Sequence, residues 1–284
     1  MWKVCFLVLR IGVCALTEES QFLSFMGTRV HFRVCMPDGP VTNRMLLLSS
    51  PMINTFHWRK ILPELADLGC LTVMADLPGF GKSDCSGPQK NSLRANILWG
   101  ILDAVDQQLE APMSMWHLAA HGPACSTVLE MAALYPDSVK SQVHICPTFS
   151  LESVLAPEKA AKWFDANIPD NRRFHKMIEY YSGYPMDDYI VDRMRQPLVR
   201  PGAKECFLKM ARSAIPPECG MGFCPTMALW GGMDKIIDDK NLKLIHDLLP
   251  DAETHILKNA GHFPMETHSR ALRDYLRGWI RYTG

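Results

Sequence analysis

An excess of charge of either sign is missing from this sequence. Its 284 residues carry 30 Lys plus Arg and 30 Asp plus Glu, a formal net charge of zero. With no basic run either, it offers no electrostatic footprint for nucleic acid or for an anionic membrane surface. No apolar run reaches the roughly 20 residues that a spanning helix requires. Internal repeats and low-complexity stretches are absent. The ten cysteines form no Cys-x-x-Cys pair and no Cys/His spacing of the zinc type, so no metal site is expected. Cys219 and Cys224, five apart in a loop-like stretch, read as a chance pair. The glycines of Gly79-Phe80-Gly81 are too few and wrongly placed for the G-x-G-x-x-G that opens a dinucleotide-binding helix. No cofactor is therefore expected.

What is present suits a single α/β domain with an insertion. Hydrophobic residues make up 48% of the chain, enough for a substantial core. Several cysteines lie in apolar runs such as Gln142 to Cys146, where a thiol packs as a small hydrophobe. This points to reduced thiols and a cytoplasmic location. The N-terminus complicates that expectation. Met1 to Leu16 places Lys3 before an apolar stretch interrupted by Arg10, with no small-x-small cleavage site after it. Residues 1–17 are taken as an extension that is a leader, a signal peptide or an extra strand.

From Gln21 the pattern is regular. Gln21 to Met26 and Thr28 to Val34 alternate around Gly27, which predicts a hairpin at a sheet edge. Short apolar runs follow at Met45 to Leu48, Leu71 to Ala75, Met115 to Ala119, Val143 to Cys146, Met227 to Trp230 and His255 to Leu257. Helical periods separate them: Trp58 to Leu68, Leu93 to Leu109 with Ser92 as N-cap, Ala124 to Tyr135, Asn241 to Leu249 and Ser269 to Ile280. Such alternation predicts a mostly parallel sheet of eight strands, buried on both faces by helices.

The alternation breaks between Cys146 and Met227. About eighty residues there show helical periods, several prolines and glycines, and no buried strand. Residues 147–224 are read as a helical cap inserted into a core made of 18–146 and 225–284. Of its aromatics Trp163, Phe164, Phe174, Tyr180, Tyr181, Tyr184 and Tyr189, most are assigned to packing, leaving two or three to line a pocket.

Four motifs carry a resemblance. Asp76-Leu77-Pro78-Gly79-Phe80-Gly81-Lys82-Ser83-Asp84 resembles the D-x-P-G-x-G-x-S-D loop of the α/β-hydrolase superfamily, in its cap-bearing, epoxide-hydrolase-like and C–C-hydrolase-like branch. Leu134 to Val139 resembles its Y-P-x-x-V segment. Leu229 to Asp234 resembles the W-G-x-x-D strand end that carries the triad acid, and Asn259 to Pro264 the loop that carries the triad histidine. The resemblance implies the α/β-hydrolase fold, with His262 as base and Asp234 as its orienting acid. His117, His121 and His144, on or beside buried strands, are expected to be packed or bonded to the backbone.

The family's nucleophile elbow reads G-x-S-x-G. Here the corresponding run is Ala120-His121-Gly122-Pro123-Ala124, so the resemblance puts Gly122 at the nucleophile position. Pro123 follows it where a backbone N–H normally meets the oxyanion, and proline has none. The second donor loop reads Ser49-Ser50-Pro51, again with a proline. Each lost donor removes roughly 3 kcal/mol of transition-state stabilisation in acyl transfer. Ser49 and Ser50 are the best-placed hydroxyls to replace a nucleophile. Cys125 and Ser126, in the first turn of the next helix, are expected to pack or cap. Asn54, Thr55 and His57, in the loop after Pro51, could supply polar contacts near the entrance, but each alone reads as part of an ordinary solvated loop.

Three functions follow as expectations. One is a cofactor-independent, non-hydrolytic enzyme in which His262 and Asp234 perform acid–base chemistry, such as epimerisation, elimination or cyclisation, on a small apolar substrate. Another is an inactive ligand-binding pseudoenzyme. The third is a hydrolase in which His262 activates water.

Overall fold

The computed structural model describes residues 12–13, 20–85, 90–110, 115–149, 155–212 and 224–284, to which every structural statement below refers. Most of the extension at 1–17, and Cys219 of the Cys219–Cys224 pair, lie outside them.

Nine strands form one sheet: β1 Gly12–Val13, β2 Gln21–Phe25, β3 Thr28–Met36, β4 Asn43–Ser49, β5 Cys70–Asp76, β6 Trp116–His121, β7 Val139–Ile145, β8 Thr226–Gly231 and β9 Glu253–Leu257. Their order is β1-β3-β5-β4-β6-β7-β8-β9, with β2 also paired to β3. The expected hairpin is β2 and β3, antiparallel in the register Gln21 to Phe32. β3 runs antiparallel to β5, and from β5 to β9 every neighbouring pair is parallel.

Burial explains the composition of the central strands. Every residue of β5 and of β6 is buried, as a strand covered on both faces by helices requires. β9 departs from that expectation. It forms the sheet edge, and Ile256 is 54% exposed.

The helices of the core are α1 Leu62–Asp67, α2 Asn91–Gln108, α3 Cys125–Leu134, then α8 Asp239–Leu248, α9 Pro264–Thr267 and α10 Ser269–Thr283. In α10, Leu272, Leu276, Trp279 and Ile280 are buried, a stripe spaced to lie along one face. Two helical expectations need correction. Trp58 to Leu68 is not one helix, because the chain makes a 3-10 turn at Thr55–Trp58 and resumes at Leu62, with Pro63 in the first turn. Nor does Ser92 cap α2: the helix begins at Asn91, and Lys90 precedes it without a side-chain cap.

Between β7 and β8 lie four helices, α4 Pro157–Asn167, α5 Asn171–Ser182, α6 Asp188–Arg195 and α7 Ala203–Ala211. Asp170 caps α5 by accepting from Arg173 N at 3.0 Å, and Gly183 ends it in the left-handed conformation that glycine tolerates. Phe164, Phe174, Ile178, Val191, Met194 and Phe207 are buried and give these helices an apolar centre. No helix among the described residues is long and apolar enough to cross a membrane.

This topology positions the site. The parallel strands β4, β6, β7, β8 and β9 all end on the same side of the sheet. β4 sits between β5 and β6, so the strand order reverses there. In open α/β sheets, ligands bind beyond the carboxyl ends of the strands at such a switch point.

Candidate active site

Three loops converge at those strand ends. After β6, Gly122 adopts φ +57°, a left-handed conformation costly for a side-chain-bearing residue. A Cβ placed on it would lie 3.4 Å from Ser50 Cβ and 3.7 Å from both His262 Nε2 and Ser50 Oγ. Gly122 therefore faces the histidine across a gap that one side chain would fill.

After β8, Asp234 is held by backbone. Its Oδ1 accepts from Ile236 N at 2.8 Å and Ile237 N at 3.3 Å, and its Oδ2 accepts from His262 Nδ1 at 2.8 Å. Burial pushes the Asp234 pKa up, but the charge and hydrogen bond of His262 and the two amides outweigh it. The net shift is below the ordinary value. Because the carboxylate only accepts, Nδ1 carries the proton. Nε2 of neutral His262 then presents a lone pair toward the cavity. His262 is 4% exposed, and its own N–H donates to the Tyr181 carbonyl of α5 at 2.9 Å.

Behind this pair, His121 links two parts of the site. Its Nε2 meets the His262 carbonyl at 2.7 Å and its Nδ1 meets Ser50 Oγ at 2.9 Å. Burial, reinforced by the nearby His262, lowers its pKa to about 3, so it is neutral at ordinary pH. A carbonyl only accepts, so Nε2 holds the proton and Nδ1 is bare. Ser50 must therefore donate its hydroxyl proton to His121, which leaves the oxygen lone pairs of Ser50 for a ligand.

The cavity above these groups has a volume of about 190 Å³. Its polar end is Ser50, Thr148 and His262, and its walls include Trp163, Tyr181 and Phe207 from α4, α5 and α7. Trp163 stacks on Phe207 with ring centroids 5.4 Å apart. Pro51 and Pro123 also line it and bring no N–H.

Several expected residues lie elsewhere. Ser49 does not face the cavity: its hydroxyl accepts from Trp58 Nε1 at 3.0 Å, in the core. His121 sits behind the cavity and does not line it. His57 is fully buried, accepts from Asn54 N at 3.1 Å, and burial lowers its pKa to about 4. Asn54 and Thr55 open onto a different cavity. Ser126 Oγ donates back to Pro123 O at 2.8 Å, and Cys125 is buried with a thiol pushed well up by desolvation. His117 bonds Ser141 Oγ at 2.7 Å and His144 lies 3.3 Å from Gln142 Oε1. Both are fully buried.

Of the seven aromatics considered in the inserted stretch, Trp163 and Tyr181 line the cavity. Phe164 and Phe174 are core, while Tyr180 and Tyr189 are exposed. Sequence reasoning missed Phe207, Thr148 and Cys146. Cys146 lies at the end of β7 with φ +46° and contacts Asp234. Its donor atom and those of His121 and His262 all lie within 4.8 Å of one another. They are poorly suited to a metal. Burial and then the Asp234 charge hold the Cys146 thiol well above its ordinary pKa, and both His121 nitrogens are engaged.

Comparison with known proteins agrees with this architecture. Residues 47–183 match the model of the family described as alpha/beta hydrolase fold. The chain is 24% identical, over 93% of its length and 96% of the relative's, to the 2-hydroxy-6-oxononadienedioate/2-hydroxy-6-oxononatrienedioate hydrolase of Cupriavidus pinatubonensis. To the 2-hydroxy-6-oxo-6-phenylhexa-2,4-dienoate hydrolase of Comamonas testosteroni it is also 24% identical, over 78% of this chain and 82% of that one. Among solved structures, the epoxide hydrolase CorEH without ligand aligns with TM-score 0.74 at 15% identity, covering 94% and 99% of the two chains. The haloalkane dehalogenase DatA from Agrobacterium tumefaciens C58 aligns with TM-score 0.73 at 16% identity, covering 94% and 97%. The protein has the α/β-hydrolase fold.

Proposed function

We propose that this α/β-hydrolase-fold protein is an acid–base catalyst that works through His262, oriented by Asp234, with no covalent intermediate at position 122. One observation carries the reading. The 2.8 Å His262–Asp234 pair leaves Nε2 facing a cavity, and the residue opposite it is a glycine. A histidine fixed in one tautomer by a buried carboxylate is equipped to take a proton at Nε2 and return it at another atom.

The surroundings argue against acyl transfer. Pro51 and Pro123 provide no N–H for an oxyanion. Ser50 donates its proton to His121, so it offers the cavity an acceptor. With neutral His262, the catalytic end of the cavity therefore presents two acceptors, Nε2 and Ser50 Oγ. That pairing favours a substrate bearing a donor, such as an enol or alcohol, over a bare ester carbonyl.

The names of the curated relatives describe compounds of this kind. A 2-hydroxy-6-oxo dienoate joins an enol hydroxyl to a ketone through conjugated double bonds, and moving one proton from oxygen to carbon interconverts its enol and keto forms. In the proposed reaction His262 Nε2 accepts the enol proton, Asp234 stabilises the imidazolium, and the same Nε2 delivers a proton to carbon. Trp163, Tyr181 and Phe207 hold the apolar part of the substrate and exclude water.

A second reading is hydrolysis by water activated at His262 Nε2, favoured because the relatives from Cupriavidus and Comamonas carry hydrolase names. One experiment separates the two. A 2-hydroxy-6-oxo dienoate is incubated with the protein in D2O and followed by absorbance and proton NMR. Deuterium entering at carbon without cleavage, lost by about 100-fold or more in His262→Ala, supports the first reading. Cleavage into two acids supports the second. Exchange at the solution rate with the wild-type protein would sink both and leave a ligand-binding role.

A further inference from the structure

A second cavity opens away from the catalytic pair, where the inserted helices meet the core. Its volume is about 400 Å³, within the roughly 300–1,000 Å³ of small-molecule sites. The core contributes His31, Arg33, Asn54, Thr55, Asp76 and Lys82. The inserted stretch contributes Arg193 and Arg200. It shares no lining residue with the catalytic cavity.

Charge sets this cavity apart in a chain that is neutral overall. Arg33, Lys82, Arg193 and Arg200 line it, and among the described residues the one lining carboxylate is that of Asp76. That carboxylate is already saturated. Its Oδ2 accepts from His31 Nδ1 and Lys82 N, each at 2.8 Å, and its Oδ1 from Thr55 N at 2.9 Å. Gly81 lies so close that a Cβ there would sit 2.3 Å from Oδ2. Asp76 is thus committed to shaping the loop, and its hydrogen bonds go to His31, Lys82 N and Thr55 N rather than to the arginine side chains.

Arg193, Arg200 and Lys82 are held in ways that leave donors available. The Arg193 guanidinium lies over the Phe56 ring, 4.7 Å from its centroid. Its backbone carbonyl accepts from Asn54 Nδ2 at 2.7 Å, which fixes α6 to the core. Arg200 is anchored through Nη2 to Ser83 O at 2.9 Å and through Nε to Pro197 O at 3.3 Å. Lys82 Nζ bonds Ser20 Oγ at 3.2 Å.

An independent observation points to a ligand. His31 lines the cavity, is 1% exposed, and its Nε2 is buried without a hydrogen-bond partner. Buried polar atoms are rarely left in that state. With Nδ1 committed to Asp76, Nε2 is the ring atom left for a ligand.

We infer that this cavity binds a small anion carrying carboxylate or phosphate groups, gripped between the core and the stretch from α6 to Arg200. Guanidinium pairs read both groups through two parallel hydrogen bonds. Such a ligand joins Lys82 and His31 of the core to Arg193 and Arg200 across the seam, so binding stabilises the docking of the inserted helices.

The test uses the full chain with inorganic phosphate and with succinate, each against sodium chloride at matched ionic strength. Calorimetric titration and thermal unfolding are the readouts. Saturable binding and a raised Tm are expected for one or both, and the anion that responds identifies its class. The Lys82→Gln/Arg193→Gln double variant should bind at least about tenfold more weakly, and His262→Ala should bind as wild type does. Lys82→Gln alone, a change at an exposed side chain, serves if the double variant does not fold. The assignment fails if neither anion binds saturably below about 10 mM, or if the variant carrying the lysine change binds as tightly as wild type.

Discussion

The backbone N–H of His262 donates to the carbonyl of Tyr181 at 2.9 Å, so the last turn of α5 holds the loop that carries the proposed base. Gly261 makes this approach possible. A Cβ on it would lie 2.3 Å from Ser182 O and 2.5 Å from Tyr181 O. Helix and loop are packed backbone to backbone, and the inserted helices thereby take part in aligning the His262–Asp234 pair.

Gly261→Ala should consequently act at a distance from the reacting atoms. The added methyl forces the His262 loop away from α5, and a displacement of about 1 Å at a catalytic group can cost on the order of 100-fold in rate. Proton exchange into substrate should drop by about that factor, with the far-UV circular dichroism unchanged. The low-field proton resonance of the His262–Asp234 bond should broaden or vanish. An unchanged resonance and rate would show that the contact does not align the pair.

Ser50→Ala removes the partner of a buried ring nitrogen. His121 Nδ1 would be left bare beside a cavity with no replacement donor, a loss of about 1–3 kcal/mol. Urea denaturation should show a lower midpoint at unchanged slope. A midpoint equal to that of wild type would mean that the Ser50–His121 bond adds nothing to stability.

Gly122→Ser should not produce an esterase. A side chain at φ +57° costs about 1–2 kcal/mol, and the missing N–H donors at Pro51 and Pro123 remain missing. Hydrolysis of 4-nitrophenyl acetate should stay within about tenfold of the wild-type background, without an acyl-enzyme burst. A stoichiometric burst would show that only the hydroxyl had been lacking.

Acid should unfold this protein earlier than its carboxylates alone would. Burial lowers the pKa of His57 and His117 to about 4 and of His121 and His144 to about 3, from an ordinary value of 6.5. Between those limits the unfolded chain binds protons that the folded chain refuses, so stability falls as pH drops below about 6.5. At pH 5.5 each histidine costs on the order of 1 kcal/mol. Four together approach the stability of a typical domain, about 5–15 kcal/mol. Denaturation midpoints from pH 7.5 to 5 should decline steadily, and replacing His144 by Gln should flatten part of the slope. A flat profile would contradict the buried neutral state.

Much of this architecture could be read from local pattern. Runs such as Leu71 to Ala75 announce a strand buried on both faces, and the motifs around Asp76, Asp234 and His262 fix the order of the loops. The limits of that reading are physical. Nothing local distinguishes Ser49 from Ser50. The pleat of β4 turns Ser49 toward Trp58 and leaves Ser50 beyond the strand end, beside His121. Phe207 reaches the cavity because α7 folds back against α4, a contact between residues more than forty apart. His31 reads as an ordinary β-strand residue, and its place in a cavity shared with Arg193 and Arg200 emerges only when the chain is folded. His255 to Leu257 has the composition of a core strand, yet among the described residues β9 is the edge strand and Ile256 is exposed.

The chain departs from the sheet at the end of β7 and returns to it at β8, and these two strands are neighbours. Because β7 and β8 run parallel, the chain must cross back over the sheet between them, yet one helix would suffice for that crossover, so as topology most of the excursion is dispensable. As machinery it is not: it provides Trp163, Tyr181 and Phe207 to one cavity, Arg193 and Arg200 to the other, and the carbonyl that anchors His262. Diversification within such a stretch can retune what enters and how the base is held while the scaffold beneath stays the same.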